Sequence, residues 1–366
     1  MKSLSDTTPV TALRRRAGRL AILTAILTAA VFALVRRTQF FAERIELPLY
    51  DSLTTLTHPW KVGHPDVVLV TIRDHRAPFW PITDARLADT LTFLVEAGAT
   101  CVGVDLKRDD YRADPVDPSG ASRLYDLAAN HDQVIWIRAM AGDGSFGPPP
   151  FLLDLRQRGL LGEEEFALRA TLADYPADLG MVVRRGYLAA EEIWSLPAAL
   201  ANLHAVAKQP ERAEEFGRRM GEIGGLRRDA GGYWIDPLPP EGIGDQFLLK
   251  FGPGMDAAFR DYPLEDLPGW DQETLREAFA GKVVLLGTHD SATAKDEAVV
   301  IGDENLRGVK LHALATAQLL RELTAGEPPV HHTAEWLEAV LTVAAALLAA
   351  AGVWLTRLPS LWKSAL

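Results

Sequence analysis

The chain has almost no thiol chemistry. Cys101 is its single cysteine, which excludes an internal disulfide. Its setting, TCVGVDL (100–106), is an apolar run in which a cysteine serves as a small core residue and not as a reactive thiol. Excess positive charge is also lacking. Lys and Arg number 38 against 49 Asp and Glu, for a net charge of −11. That balance excludes a nucleic-acid partner, because phosphate binding needs clustered cations. No GxxxxGK(S/T), GxSxG, HExxH or CxxC occurs, so the common signatures of nucleotide hydrolysis, serine hydrolysis, zinc proteolysis and dithiol chemistry are missing. No repeat of fixed period appears. One further absence is local: no Lys or Arg lies between Glu322 and Thr356.

Two apolar segments bracket the chain. Leu20 to Val35 is apolar over sixteen residues, with Arg14, Arg15, Arg16 and Arg19 before it and Arg36 and Arg37 after it. As a helix it rises about 24 Å against a bilayer core of about 30 Å. Snorkelling of Arg19 and Arg36 covers the difference. The alternative is a cleaved signal peptide with Val31-Phe32-Ala33 as its cleavage site. Ala339 to Leu355 carries no charge over seventeen residues, and Trp336 and Trp354 stand near its ends as interfacial aromatics do. The cation-free stretch up to Thr356, followed by Arg357 and Lys363, puts the C-terminus in the cytoplasm. The expected layout is therefore a basic cytoplasmic tail over 1–19, a transmembrane helix over 20–37 and an extracytoplasmic domain over 38–335. A second transmembrane helix over 336–356 and a short tail over 357–366 complete it. The localisation that follows is an inner membrane with the large domain outside.

Within that domain, strand-length apolar runs recur at VVLVTI (67–72), TCVGVDL (100–106), QVIWIRA (133–139), FLLKF (247–251) and KVVLLG (282–287). They are continuous and not alternating, as strands covered on both faces are. Between the first two, Leu87, Leu91, Leu94 and Val95 form a helical stripe that Thr83 or Asp84 can cap and Gly98 can end. Further helices fit SRLYDLAAN, SLPAALANLHAVA, QETLREAFA and residues 309–323. Residues 208–245, rich in Gly, Pro and charge, read as loops with a short hairpin around YWIDPL. Phe-Arg-Asp-Tyr-Pro (259–263) reads as loop. The fold class is α/β: a mostly parallel sheet with helices on both faces and a loop-rich insertion, flanked by two transmembrane helices.

Ligands of such sheets bind beyond the carboxyl ends of the strands. The residues there are Arg73 and Asp74, Asp105, Arg138, and Thr288, His289 and Asp290. If the strands are parallel neighbours, Asp74, Asp105 and Asp290 bring their carboxylates together. Trp80 is expected to pack near the same edge, and Asp296 continues the polar stretch THDSATAKD. The candidate ligand-binding residues are therefore Asp74, Trp80, Asp105, Arg138, Thr288, His289, Asp290 and Asp296. No catalytic residue is assigned, and whether a metal belongs there is left open. The alternative role for Asp290 and Asp296 is to cap the loop and pair with Lys295 or an arginine.

Several motifs resemble a known family. VTIRD (70–74), Trp80-Pro81 and GATCVGVDL (98–106) are similar to the opening of the type-two CHASE domain. DLGMVVRRGYL (178–188) with SLPAALA (195–201) resembles its middle, including the paired arginines. FLLKFGPG (247–254), LEDL (264–267), GKVVLLGT (281–288), Asp296 and LRGVKLHALATAQLL (306–320) resemble its closing half. The chain departs from the pattern at Arg73, where members carry the first residue of an acidic pair. The resemblance implies an extracytoplasmic sensory module, of the kind found with cyclases and histidine kinases, here without a cytoplasmic effector domain.

Other signals weigh little. Gly252-Pro-Gly254-Met-Asp-Ala257 lacks the helix that a dinucleotide fingerprint opens, and reads as a turn. His331-His332 sits where interfacial histidines sit. His289 has no second histidine at ligand spacing, whereas zinc wants three or four ligands. The expectation is a non-enzymatic sensory or ligand-binding module without a cofactor. Its partners are the lipid bilayer, a small-molecule or protein ligand, and a second copy or a membrane signalling protein. The alternatives are a metal-dependent hydrolase using the strand-end aspartates, and a scaffold for membrane assembly.

Overall fold

The structure, a computed structural model, describes residues 47–57, 62–74, 79–139, 146–176, 182–190, 193–223, 244–252, 254–289, 297–300 and 305–330, with isolated helical positions near 23–27 and 340–351. The chain divides into two compact units, Met1–Leu49 with His332–Leu366, and Tyr50–His331. In the first unit the described positions Leu23, Leu27, Val340, Leu341, Val343, Leu347 and Leu348 are helical and exposed. No helix among the described residues is long and apolar enough to cross a membrane. Most of 20–37 and 336–356, and with them the two expected spans, lies outside the described residues.

The second unit is built on a six-stranded sheet. Its strands are β1 (Val67–Ile72), β2 (Cys101–Val104), β3 (Val134–Arg138), β4 (Ala170–Leu172), β9 (Arg260–Pro263) and β10 (Val283–Thr288). The order is β4-β3-β2-β10-β1-β9, and every pair is parallel. β1, β2 and β10 are buried at every position, which explains their continuous apolar sequence. β10 lies between β1 and β2, so those two are not direct neighbours.

Strand alternation divides the core in two. Val68, Val70, Val102, Val104, Trp136, Val284 and Leu286 face one side. That side is covered by α2 (Asp84–Glu96), α3 (Gly120–Asn130), α4 (Pro150–Gln157), α5 (Glu163–Arg169) and α8 (Gln272–Phe279). Val67, Leu69, Cys101, Ile135, Val283 and Leu285 face the other. There lie α6 (Leu196–Lys208), α7 (Ala213–Ile223) and α9 (Gly308–Leu320). Cys101 is fully buried, as its setting required.

Two glycines let helices approach this second face. A Cβ on Gly103 would stand 2.6 Å from Leu200 Cδ1, and one on Gly287 would stand 2.6 Å from Val309 Cβ. The absent side chains thus admit α6 and α9 against β2 and β10. The helix starts follow the sequence. The Thr83 hydroxyl accepts from Arg86 N at 3.4 Å and Ser195 Oγ from Ala198 N at 3.3 Å. Gly98, at φ 88°, ends the α2 connection in a conformation that favours glycine. Asp84 is not the cap; it is buried beside Arg108, 3.3 Å from Nη2.

Three expectations need correction. FLLKF does not join the parallel sheet. Its start belongs to β8 (Gly244–Leu248), which pairs antiparallel with β6 (Arg185–Ala190) in a separate sheet that also holds β7 (Ile193–Trp194). Phe-Arg-Asp-Tyr-Pro is not loop, since Arg260–Pro263 is the edge strand β9. Residues 213–223, read as loop, form α7, which buries Phe216, Met220 and Ile223. The hairpin expected around YWIDPL lies outside the described residues. The third sheet pairs β5 (Val182–Val183), β11 (Glu297–Val300) and β12 (Asn305–Arg307). A helix α1 (Leu47–Thr57) precedes β1.

Candidate ligand site at the carboxyl edge of the sheet

Asp105 follows β2 and is fixed by its N–H, which donates to Leu286 O at 2.8 Å. It keeps step with Cys101 and Gly103 and so lies on the face covered by α9. There Asp105 Oδ1 stands 3.7 Å from His312 Nε2. The opposite ring nitrogen, Nδ1, lies 3.0 Å from the Tyr175 hydroxyl, and the two rings are 5.1 Å apart. Tyr175 comes from the segment after β4, so three separate parts of the chain meet. Burial pushes the His312 pKa down to about 3. The imidazole is therefore neutral near pH 7, and its approach to Asp105 is not an ion pair despite the geometry. The arrangement that satisfies both partners has the Tyr175 hydroxyl donating to Nδ1 and the ring proton on Nε2, facing the carboxylate.

A second group forms across β9, β1 and β10. The Thr71 hydroxyl donates to Asp261 Oδ1 at 2.6 Å. Arg73 Nη2 donates to Asp261 O at 3.1 Å and stands 3.3 Å from Asp261 Oδ2. Glu265 Oε1 accepts from the backbone N–H of Arg73 at 2.9 Å and of Asp74 at 2.7 Å. His289 is held by its N–H to Ile72 O at 2.9 Å, with Nδ1 3.4 Å from Asp261 Oδ2. Burial lowers the His289 pKa, Arg307, Arg73 and Lys310 add to that, and Asp261 opposes it. Arg307 and Lys310 stand at the start of α9, so α9 brings positive charge to this end of the edge.

The expected site residues divide. Asp74, Asp105 and His289 reach the carboxyl edge. Asp74 and Asp105, however, follow strands separated by β10, two strand spacings or about 10 Å apart. That spacing sets these two residues a full strand apart, and the third carboxylate of the cluster that the sequence suggested, Asp290, belongs to the residues not described. Arg138 and Thr288 keep step with Trp136 and Leu286 and so belong to the opposite face. Trp80 is half-buried and packs on that opposite face too, against the α2 core. Asp290, Lys295 and Asp296 lie outside the described residues. Among the described residues no group of three or more His, Cys, Asp or Glu side chains could hold a metal ion.

His312, Tyr175, Asp261 and Glu265 were not foreseen. One signal could have found His312. In LRGVKLHALATAQLL the polar residues Lys310, His312, Thr316 and Gln318 interrupt a helix whose remaining residues are apolar, and residues 309–320 are all buried. A buried polar side chain has to find a partner.

No curated protein matches the chain, and no solved structure does. The CHASE2 domain matches residues 26–352. That family is sensory, and an extracellular setting goes with it. Residues 26–352 take in both polar groups at the sheet edge and most of the two apolar segments, and the chain belongs to the CHASE2 domain family.

Proposed function

We propose that the protein is a membrane-anchored, extracytoplasmic sensory module that binds its ligand at the carboxyl edge of the parallel sheet and acts through partner proteins. The observation that supports this reading is the polar group of Asp105, His312 and Tyr175. Three distant parts of the chain bring it to the edge where parallel α/β sheets take ligands. Arg73, Arg307 and Lys310 supply the cationic side of the same edge, around a His289 that they help to keep neutral. The inner-membrane anchoring rests on the two apolar segments and the cation-free stretch before Arg357.

A thermal-shift screen of small metabolites on the full chain in detergent tests the binding. A ligand present at about 100 times its dissociation constant stabilises by about 2.7 kcal/mol. That stabilisation should vanish in Asp105→Asn. A compound that stabilises wild type and Asp105→Asn equally places the site elsewhere.

A further inference from the structure

The sensory reading leaves the paired arginines of VVRRGYL without a role. Arg184 comes just before β6 and points at α1. Its Nε donates to Asp51 Oδ1 at 2.8 Å and its Nη2 to Oδ2 at 2.7 Å, a two-pronged ion pair. The Arg184 side chain is 4% exposed and that of Asp51 25%, so the guanidinium is held out of water while the carboxylate keeps one edge in it. Its backbone is fixed as well, because Arg184 O accepts from Leu249 N at 3.0 Å. In sequence α1 leads back to the apolar segment Leu20 to Val35.

Arg185 turns the other way. Its Nη1 donates to the buried Gln246 Oε1 at 2.9 Å. Tyr187 keeps step with Arg185 and packs against Leu172 at the end of β4. Burial raises the Tyr187 pKa, Arg185 opposes that, and Asp174 adds to it, so Asp174 and Arg185 both lie near the phenol. Asp174 adjoins Tyr175, whose hydroxyl reaches His312 beside Asp105. Tyr187 of β6 thus packs on the end of β4, three residues before Tyr175, and this packing joins the strand that Arg184 precedes to the segment that reaches His312.

We propose that α1 is the output element of the domain, and that the Asp51–Arg184 pair couples it to the group of Asp105, His312 and Tyr175. The proposal rests on the sensory reading of that edge. A fork-shaped guanidinium holding both carboxylate oxygens is either seated or not. Separating it strands a buried charge, so intermediate positions are unfavourable. That gives α1 two discrete states, which a coupled element requires. A ligand that moves Tyr175 shifts the balance between them, and by reciprocity the state of α1 alters the surroundings of His312.

The test needs no ligand, so its failure is separate from a failure to find one. Amide hydrogen exchange over residues 50–57 is measured on the full chain in detergent. Tyr175→Phe removes the hydroxyl that reaches His312, and exchange in α1 should rise roughly threefold or more. In Asp51→Asn the helix already exchanges fast, and adding Tyr175→Phe should change nothing further. Asp51→Glu, which keeps the charge, should restore both the protection and its response to Tyr175→Phe. His312→Gln serves as a second perturbation of the edge should Tyr175→Phe fail to fold. In the reverse direction, Asp51→Asn should shift the imidazole resonances of His312. Unchanged α1 protection in the edge variants overturns the proposal, and so do effects of Tyr175→Phe and Asp51→Asn that simply add.

Discussion

Acid should weaken this domain through one imidazole more than through any exposed group. His312 is fully buried and its pKa falls from 6.5 to about 3. The folded state therefore favours the neutral ring, while the unfolded chain takes up a proton as pH falls below 6.5. For a base whose folded pKa is depressed, the stabilising contribution is complete above the unfolded pKa. It is lost progressively as pH falls toward the folded value. Each pH unit in that window removes about 1.36 kcal/mol. Between pH 6.5 and about pH 5 the loss is about 2 kcal/mol, and by about pH 3 it reaches about 5 kcal/mol. Against a domain stability of order 5–15 kcal/mol, that is a large fraction.

The assay is urea unfolding of the full chain across that window, for wild type and His312→Gln. Glutamine can still accept from Tyr175 but takes up no proton. Burial also lowers the pKa values of His64, His204 and His289 and raises those of Asp84 and Glu322. Those groups are present in both proteins, so they cancel in the difference. The wild type should lose about 2 kcal/mol more than His312→Gln between pH 6.5 and about pH 5. Parallel curves for the two proteins would refute the buried, neutral state of His312.

Three further outcomes are expected. Lys250 and Glu322 form a pair with side chains 1% and 0% exposed, 2.8 Å apart, so Lys250→Met leaves a buried carboxylate without its cation, held by Gln318 Nε2 at 3.0 Å. It should lower stability by about 3–5 kcal/mol in urea unfolding, and Lys250→Met with Glu322→Leu should recover most of that. Gly287→Ala sets a methyl 2.6 Å from Val309 Cβ on a helix that cannot swing aside, and a loss of about 1–3 kcal/mol is expected by thermal unfolding. A cytoplasm-active reporter fused after Leu366 should be active and an export-active one silent; the reverse pattern would remove the extracytoplasmic reading.

The legible part of the fold is the part decided by local burial. β1, β2, β3 and β10 announced themselves because strands covered on both faces carry continuous apolar runs. β9 did not, because an edge strand with the sequence RDYP meets water and carries charge. β8 misled for the opposite reason. FLLKF is buried as it reads, but burial does not name a sheet: its strand begins with the half-buried Gly244 and the exposed Asp245 and pairs with β6. The insertion of β10 between β1 and β2 was not readable, because strand order is set by pairs such as Val67 with Val283 and Cys101 with Val283, far apart in the chain. α7 was obscured by the charge and glycine of AEEFGRRMGEI, although Phe216, Met220 and Ile223 keep helical spacing.

At the site, the strand ends were correctly located, but the face of each residue was not considered. The two-residue period sends Asp105 and His289, one step past β2 and β10, toward α9, and sends Arg138 and Thr288, the last residues of β3 and β10, away from it. His312 stayed hidden because an apolar helix next to a sheet reads as packing alone.

α9 shows why packing and site cannot be separated here. Every residue from Val309 to Leu320 is buried, so each polar side chain on it needs an internal partner. His312 has Tyr175 and Asp105. The Thr316 hydroxyl donates to His312 O at 2.7 Å. Gln318 donates to Leu248 O at 2.9 Å and accepts from Lys250 N at 2.8 Å. Beyond the helix, Glu322 holds Lys250, whose ammonium also donates to Pro328 O at 2.8 Å. One helix thus carries polar anchors from the carboxyl edge of the sheet, where Val309 is lodged against Gly287, to the chain that leads toward the second apolar segment. A helix pinned at both ends cannot absorb a displacement at His312 by bending one turn, because each broken anchor would leave a buried polar group unpaired at about 1–3 kcal/mol. Displacement at the edge must therefore move α9 as a unit or be taken up by Tyr175 and the segment after β4, which follows directly on Leu172, packed against Tyr187 of β6.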